Sequence, residues 1–124
     1  MITGTHVLLY SKDAEADRAF FRDVLQFRAV DAGEGWLIFA LPPAELGVHP
    51  SDGSFVQTQA EEKLLGSVLY LMCDDLKATI RSLEAKKAKC TPIADEGWGI
   101  VTTVGLPSGG KVGLYQPRHK TAID

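Results

Sequence analysis

The chain has 124 residues, 45% of them hydrophobic and 23% charged; its length fits one domain, and this composition excludes intrinsic disorder or a collagen-like structure. The formal net charge of −3 argues against nucleic acid as a partner, because nucleic-acid binders usually carry a basic excess on one face. No apolar run approaches the ~20 residues of a membrane-spanning helix, and the N-terminus does not resemble a signal peptide. Two cysteines make no disulfide framework. A cytoplasmic protein with reduced thiols and no membrane partner is therefore expected.

The first half of the chain predicts a strand, a helix and three further strands. The helix begins after Ser11 or Asp13, either of which can act as its N-cap, and apolar residues recur along it at helical spacing. Gly33 and Gly35 then break the chain, and Pro42 starts a later turn. The predicted strands cover residues 6–10, 28–31, 36–41 and 45–49.

The second half predicts the same order of elements. A helix begins after Asp74 or Asp75, and strands are expected over residues 67–72, 91–94, 98–104 and 111–116. Residues 51–65 are predicted to be a polar connection, because they show little periodicity. Residues 105–111 match the start of a phosphate-binding loop, but Val112 stands where Ser or Thr is required, so a glycine-rich hairpin turn is favoured.

The two halves are similar to each other when the sequence is shifted by 62 residues. Glu34-Gly35-Trp36 falls on Glu96-Gly97-Trp98, and Asp13 falls on Asp75. A tripeptide that contains tryptophan seldom recurs by chance in so short a chain. The sequence therefore predicts a duplicated unit of about sixty residues with the order strand, helix, strand, strand, strand.

This duplicated βαβββ unit resembles the vicinal oxygen chelate superfamily, the group of glyoxalases, bleomycin resistance proteins and extradiol dioxygenases. The resemblance is carried by Thr5-His6-Val7, Leu25-Gln26-Phe27, Cys73-Asp74-Asp75-Leu76 and the turn from Leu106 to Val112. It implies an α+β fold in which two modules, about 1–50 and 66–118, pair into a curved mixed sheet around a cleft. Residues 1–124 would form a single domain, the modules would pair within one chain or across a dimer, and a homodimer is expected.

Catalytic members of the superfamily hold a divalent metal through side chains on the first and last strands of each unit. Carried onto this chain, those positions fall on His6, which can ligate, and on Gly47, Val68 and Gly113, which cannot. Because one imidazole does not hold a divalent metal, no metal or other cofactor is predicted. A pair of His6 with His49 stays open if their strands adjoin.

The expected ligand is a small, planar or aromatic molecule bound in the cleft, and its predicted contacts are His6, Trp36, His49, Tyr70, Trp98, Thr102 and Tyr115. The two tryptophans occupy equivalent repeat positions, so packing in the core is the safer interpretation for both, although one of them can line the cleft. His119 is expected to be solvated in a polar tail. No catalytic residue is predicted.

Three functions remain open. The first is a small-molecule-binding protein of the glyoxalase/bleomycin-resistance type that lacks the usual metal ligands. The alternative is a divalent-metal-dependent lyase, isomerase or dioxygenase of the same superfamily, which would need His6, His49 and one more donor. The third is a dimerising domain that binds no ligand.

Overall fold

The computed structural model of the protein describes residues 1 and 3–123. In that part of the chain, two helices are combined with strands that pair mostly antiparallel, which confirms the predicted α+β class. The elements are α1 (Ala14–Asp23), β1 (Ala29–Asp31), β2 (Leu37–Phe39), β3 (Val56–Gln59), β4 (Glu62–Leu65), β5 (Tyr70–Met72), α2 (Leu76–Ala85), β6 (Ala94–Asp95), β7 (Gly99–Gly105) and β8 (Lys111–Pro117).

Both helices begin at an aspartate, and the two aspartates are those that the repeat equates. Asp13 accepts a hydrogen bond from the backbone N–H of Ala16, and Asp75 accepts one from that of Ala78. Each bond satisfies a donor that the first turn of a helix leaves without an intrahelical partner. Neither helix, within the described chain, is long and apolar enough to cross a membrane.

The largest sheet in the described part of the chain has four strands in the order β5-β8-β7-β6. β5 runs parallel to β8, and the other pairs are antiparallel. The register sets Val104 opposite Val112 and Thr102 opposite Leu114. All four side chains are buried, and since α2 packs against β8, this face of the sheet is the core. Residues one step along each strand point to the other face.

The described residues divide into two compact units. The first contains Met1–Ala40 together with the turn Leu106–Gly110, and the second contains Leu41–Gly105 and the chain from Lys111 onward. In the first unit, β1 and β2 form an antiparallel pair, and the Phe21 ring lies 5.9 Å from Phe27 and 5.8 Å from Phe39, measured between centroids. The organisation into modules 1–50 and 66–118 stays a prediction.

Two predicted strands are absent from the described chain. Residues 6–10 and 45–49 belong to no strand, and side chains such as Leu8 and Leu46 are exposed. A strand needs a neighbouring strand to satisfy its backbone hydrogen bonds, and neither segment pairs with another part of this chain. Their composition favours strands but does not supply a partner.

The connection between the two halves was expected to lack regular structure, and that expectation is wrong. β3 and β4 pair as a hairpin in which Gln59 lies opposite Glu62. Ala60 and Glu61 form its two-residue loop with φ values of 49° and 67°, as a type I′ turn requires. This loop could not be predicted from the sequence, because neither residue is Gly, Asn or Asp, the residues that usually indicate such a turn.

The glycine-rich stretch before β8 is a hairpin turn, as predicted. It joins β7 to β8, and Gly109 adopts a φ of 94° within it, a conformation that glycine reaches without steric cost. A strand, β8, follows this turn, whereas a phosphate-binding loop continues into a helix.

A buried carboxylate fixes this turn to α1 inside the first unit. Asp17, which is 7% exposed, accepts hydrogen bonds from the Ser11 hydroxyl at 2.6 Å, from the Ser108 hydroxyl at 2.7 Å and from the Ser108 backbone N–H at 3.0 Å. Burial alone would raise the pKa of Asp17, but these three hydrogen bonds to the charged form outweigh it and lower that pKa below its usual range.

We expect Asp17→Asn to reduce the free energy of unfolding by about 1–3 kcal/mol, because the amide cannot accept all three hydrogen bonds. The pKa of Asp17 in the folded state lies below its value in the unfolded state. The stabilisation that its charged form provides is therefore complete above about pH 4 and is lost as the pH falls through the folded-state pKa. Urea titrations over a series of pH values should therefore show the difference from the wild type narrowing in acid. Asp74→Asn, at an exposed position, is the control, and a difference that does not change with pH would contradict the assignment.

Candidate ligand-binding site

Three aromatic side chains meet on the sheet face opposite the core of the second unit. We call Tyr70, Trp98 and Tyr115 the aromatic cluster. Their ring centroids are 5.4 to 6.1 Å apart and the ring planes cross at 75° to 81°, the edge-to-face geometry that aromatic quadrupoles favour. Tyr115 is buried, whereas Tyr70 and Trp98 are 41% and 43% exposed, so the cluster presents two rings to solvent.

A missing side chain on β8 makes room for the Tyr70 ring. Gly113 is the register partner of Tyr70 across the β5–β8 pair. A Cβ atom at Gly113 would lie 2.6 Å from Tyr70 Cε1 and nearer still to Cδ1, closer than Cβ atoms approach other carbons in folded proteins. The Tyr70 ring therefore occupies the space that any side chain at position 113 would need.

His119 extends this face beyond the end of β8. Its ring stacks on Tyr115 with centroids 6.0 Å apart and planes 26° from parallel, and its Nε2 lies 3.3 Å from the Tyr115 hydroxyl. His119 is exposed, as expected for a residue of the polar tail, but its contacts with Tyr115 were not predicted. The sequence contained no signal for this contact, because the path of the chain after Pro117 depends on tertiary contacts.

Glu45 completes the polar end of the cluster. Its Oε1 lies 3.8 Å from His119 Nε2, and its Oε2 accepts a 2.7 Å hydrogen bond from the Ala122 backbone N–H. Burial, followed by the negative charge of Glu45 and a hydrogen bond to it, raises the pKa of the Tyr115 hydroxyl. The phenol therefore keeps its proton at neutral pH.

The other predicted contact residues have different surroundings. His6 and Trp36 belong to the first unit. His49 is exposed, and its Nδ1 lies 2.7 Å from the Pro50 carbonyl. Thr102 is 3% exposed on the core face of the sheet, where its hydroxyl donates to the Thr91 carbonyl. Of the predicted contacts, the structure brings together Tyr70, Trp98 and Tyr115, and it places Thr102 on the opposite face of the same sheet.

The two tryptophans do not pack in the core, which corrects the safer interpretation of the repeat. Both are exposed, and their surroundings differ. The guanidinium carbon of Arg18 lies 4.3 Å from the centroid of the Trp36 ring, a cation–π contact, whereas Trp98 belongs to the aromatic cluster. The sequence analysis predicted each tryptophan as the first residue of a strand, and in the structure each directly precedes one, β2 or β7. Different neighbours give the two residues different contacts.

A shallow depression of about 220 Å³ also lies on the first unit. It is lined by Arg28, Val30, Ile38, Phe39 and Ala40. Ligand sites for small organic molecules usually exceed ~300 Å³ and contain several convergent polar groups, and this lining supplies one charged side chain. The aromatic cluster is therefore the stronger candidate.

Comparison with protein families decides the membership of the chain. The family model described as the Glyoxalase/Bleomycin resistance protein/Dioxygenase superfamily matches residues 5–109. The chain belongs to this superfamily. The match covers most of the sequence and confirms the resemblance carried by the repeat. No curated protein sequence matches the chain significantly.

Solved structures of superfamily type share the fold at low sequence identity. The antibiotic-binding protein TnmS3 from Streptomyces sp. CB03234 is 21% identical, with a TM-score of 0.59 over 94% of this chain and 99% of that one. A lactoylglutathione lyase from Agrobacterium tumefaciens is 19% identical, with a TM-score of 0.59 over 92% of each chain. An integron cassette protein from the Halifax Harbour sewage outfall is 16% identical, with a TM-score of 0.60 over 93% and 99%. These likenesses establish the fold alone.

The divalent metal of catalytic superfamily members does not fit the residues found here. Among the described residues, no group of three or more His, Cys, Asp or Glu side chains is arranged to hold a metal ion. Tyr70 covers Gly113, one of the positions that the resemblance assigns to a ligand. His6 and His49 are both exposed, and they lie in different units.

We expect Gly113→Ala to drive the Tyr70 ring out of the aromatic cluster, because the new methyl group would overlap that ring. The lost edge-to-face contacts should lower the free energy of unfolding by about 1 kcal/mol. NMR ring-current shifts of the Tyr70 and Tyr115 resonances report the displacement. Gly47→Ala is the matched control, since no atom lies within 4 Å of the Cβ position there; unchanged shifts in Gly113→Ala would contradict the packing.

Proposed function

We propose that this superfamily member is a small-molecule-binding protein that holds a planar aromatic ligand on the aromatic cluster. The observation that carries the proposal is the exposure of Tyr70 and Trp98 beside a buried Tyr115. Exposed rings held at fixed angles offer a flat ligand a stacking surface at small cost in side-chain entropy. The antibiotic-binding protein among the structural neighbours is consistent with such a role.

The position of the cluster supports the proposal further. The rings stand on hydrogen-bonded strands, and the Tyr70 ring is confined by close approach to Gly113. Polar groups, Glu45 and His119, lie at one end of an otherwise apolar surface. An apolar surface with a few placed polar groups is typical of sites for small organic ligands.

We expect a planar aromatic probe to bind at Trp98 and not at Trp36. Protein labelled with 5-fluorotryptophan gives one 19F signal for each tryptophan, and the variants Trp36→Phe and Trp98→Phe assign the two signals. Titration with 2-naphthol should shift the Trp98 signal saturably, because a stacked ring changes its magnetic environment.

The Trp36 signal is the internal control, since its ring is engaged with Arg18 in the first unit. A saturable shift at Trp36 alone, or at neither residue, would refute the proposed site.

The alternative function is a metal-dependent lyase, isomerase or dioxygenase of the same superfamily. A lactoylglutathione lyase is among the structural neighbours, but no donor set within the described chain favours this function. Elemental analysis after incubation with nickel, zinc, manganese or ferrous iron separates the two functions. Stoichiometric metal that a His6→Ala variant loses would support the enzyme, and absence of retained metal would support the binding protein.

We also propose that the protein is a homodimer. The segments 3–10 and 41–50 lie outside every strand and expose apolar side chains, among them Leu46 at 88% and Val48 at 84%. Neighbouring exposed apolar side chains are typical of surfaces that a partner covers. A second copy of the chain offers the same kind of segment in return.

We expect sedimentation analysis to give a dimer for the wild type and a larger monomer fraction for Val48→Asp, because a buried charge would weaken the interface by several kcal/mol. Ser82→Asp adds the same charge at an exposed position of α2 and serves as the control. A monomeric wild type would contradict the proposed homodimer.

A cytoplasmic location is proposed on the state of the two cysteines. Cys73 and Cys90 are free thiols, and burial raises the pKa of both. Unpaired thiols are the rule in reducing compartments.

A further inference from the structure

The polar end of the aromatic cluster depends on one residue of an otherwise exposed segment. Every residue from 41 to 55 is exposed except Glu45, whose side chain is 18% exposed. The backbone N–H of Ala122 donates to Glu45 Oε2 at 2.7 Å, which orients the carboxylate. The other oxygen, Oε1, faces His119.

The polar hydrogen atoms of His119 and Tyr115 are already engaged in hydrogen bonds within the protein. His119 Nδ1 lies 2.9 Å from the Lys120 carbonyl oxygen. Because a carbonyl oxygen can only accept, Nδ1 carries the hydrogen of the neutral ring, and Nε2 is left as an acceptor. The Tyr115 hydroxyl has His119 Nε2 at 3.3 Å. Because that nitrogen is an acceptor, the phenol proton is directed to it.

The hydrogen-bonding capacity that remains is therefore made of lone pairs. Glu45 Oε1 and the Tyr115 oxygen can each accept a further hydrogen bond. Among the described residues, the salt bridge of Glu45 is with His119, and it is charged on both sides only when the imidazole is protonated. With His119 Nδ1 donating to the Lys120 carbonyl and the Tyr115 hydroxyl donating to His119 Nε2, this edge of the cluster offers acceptors and no free donor.

We propose that Glu45 is a specificity-determining residue. It selects planar aromatic ligands that carry a hydrogen-bond donor at the edge that meets Glu45 Oε1. The donor is a phenolic hydroxyl or an aromatic N–H. This inference rests on the proposed binding function and adds the polar chemistry of the ligand. A ligand that places a carbonyl or ether oxygen at the same edge brings its lone pairs against those of the carboxylate. Both oxygens then lose their hydrogen bonds to water and form none with each other.

The test compares two probes of nearly equal shape on two proteins. 2-Naphthol donates a hydrogen bond, and 2-methoxynaphthalene can only accept one. We expect the wild type to prefer 2-naphthol by about tenfold in Kd, a ratio within the range for a hydrogen bond to a charged acceptor in a partly exposed site. The Trp98 19F signal of 5-fluorotryptophan-labelled protein gives both constants.

Glu45→Gln should abolish or reverse that preference. Ala122 N–H still needs an acceptor, so the glutamine carbonyl takes the place of Oε2 and the NH₂ group takes the place of Oε1, which turns an acceptor into a donor at the same point. Comparison of the probe ratio between the two proteins cancels the difference in hydration between the probes. Glu62→Gln, in the exposed strand β4, makes the same charge change elsewhere and should keep the wild-type ratio.

The outcomes separate the two proposals. If both probes bind at Trp98 with a ratio that Glu45→Gln does not alter, the role of Glu45 is overturned and the binding function stands. If Glu62→Gln lowers the ratio as much as Glu45→Gln, the effect is one of net charge and the role of Glu45 is again overturned. If neither probe shifts the Trp98 signal, the binding function fails and the inference fails with it.

Discussion

The parallel pairing of β5 with β8 is the constraint on which the candidate site depends. It sets Tyr70 opposite Gly113 and Met72 opposite Tyr115, so the two tyrosines share a sheet face. A slip of one residue would turn Tyr70 toward the core face, where Leu114 is buried. The antiparallel partner β7 then fixes the position of Trp98, which precedes its first residue. Three rings from separate parts of the chain thus meet because one register is fixed.

The absence of a side chain at Gly113 connects this register to the chemistry of the site. In catalytic superfamily members the corresponding position carries a metal ligand, according to the resemblance on which the sequence analysis relied. Here the Tyr70 ring fills that volume. Aromatic packing and metal ligation at this point exclude each other on steric grounds, and the polar groups of the face, Glu45 and His119, lie instead beyond the strand end.

Much of the fold was accessible from the sequence because its signals are local. The caps Asp13 and Asp75 and the glycine-rich turn before β8 follow from short patterns, and the repeat equates the two caps. The strands over residues 6–10 and 45–49 failed because strand formation needs a partner that composition cannot reveal. Of the predicted ligand contacts, Tyr70 and Tyr115 share one sheet face, whereas the register places Thr102 on the core face. The stacking of His119 and the approach of Glu45 are tertiary contacts without a local signal.

The bond between Asp17 and Ser108 joins residues 91 positions apart in sequence, and it has a consequence for the order of folding during synthesis. α1 is synthesised well before the turn Leu106–Gly110, which supplies two of the three hydrogen bonds to its buried carboxylate. Until that turn is made, Asp17 has only the Ser11 hydroxyl as a side-chain donor. The first unit therefore cannot complete its polar network before a segment far along the chain has been translated. That turn is as much a part of the first unit as α1 itself.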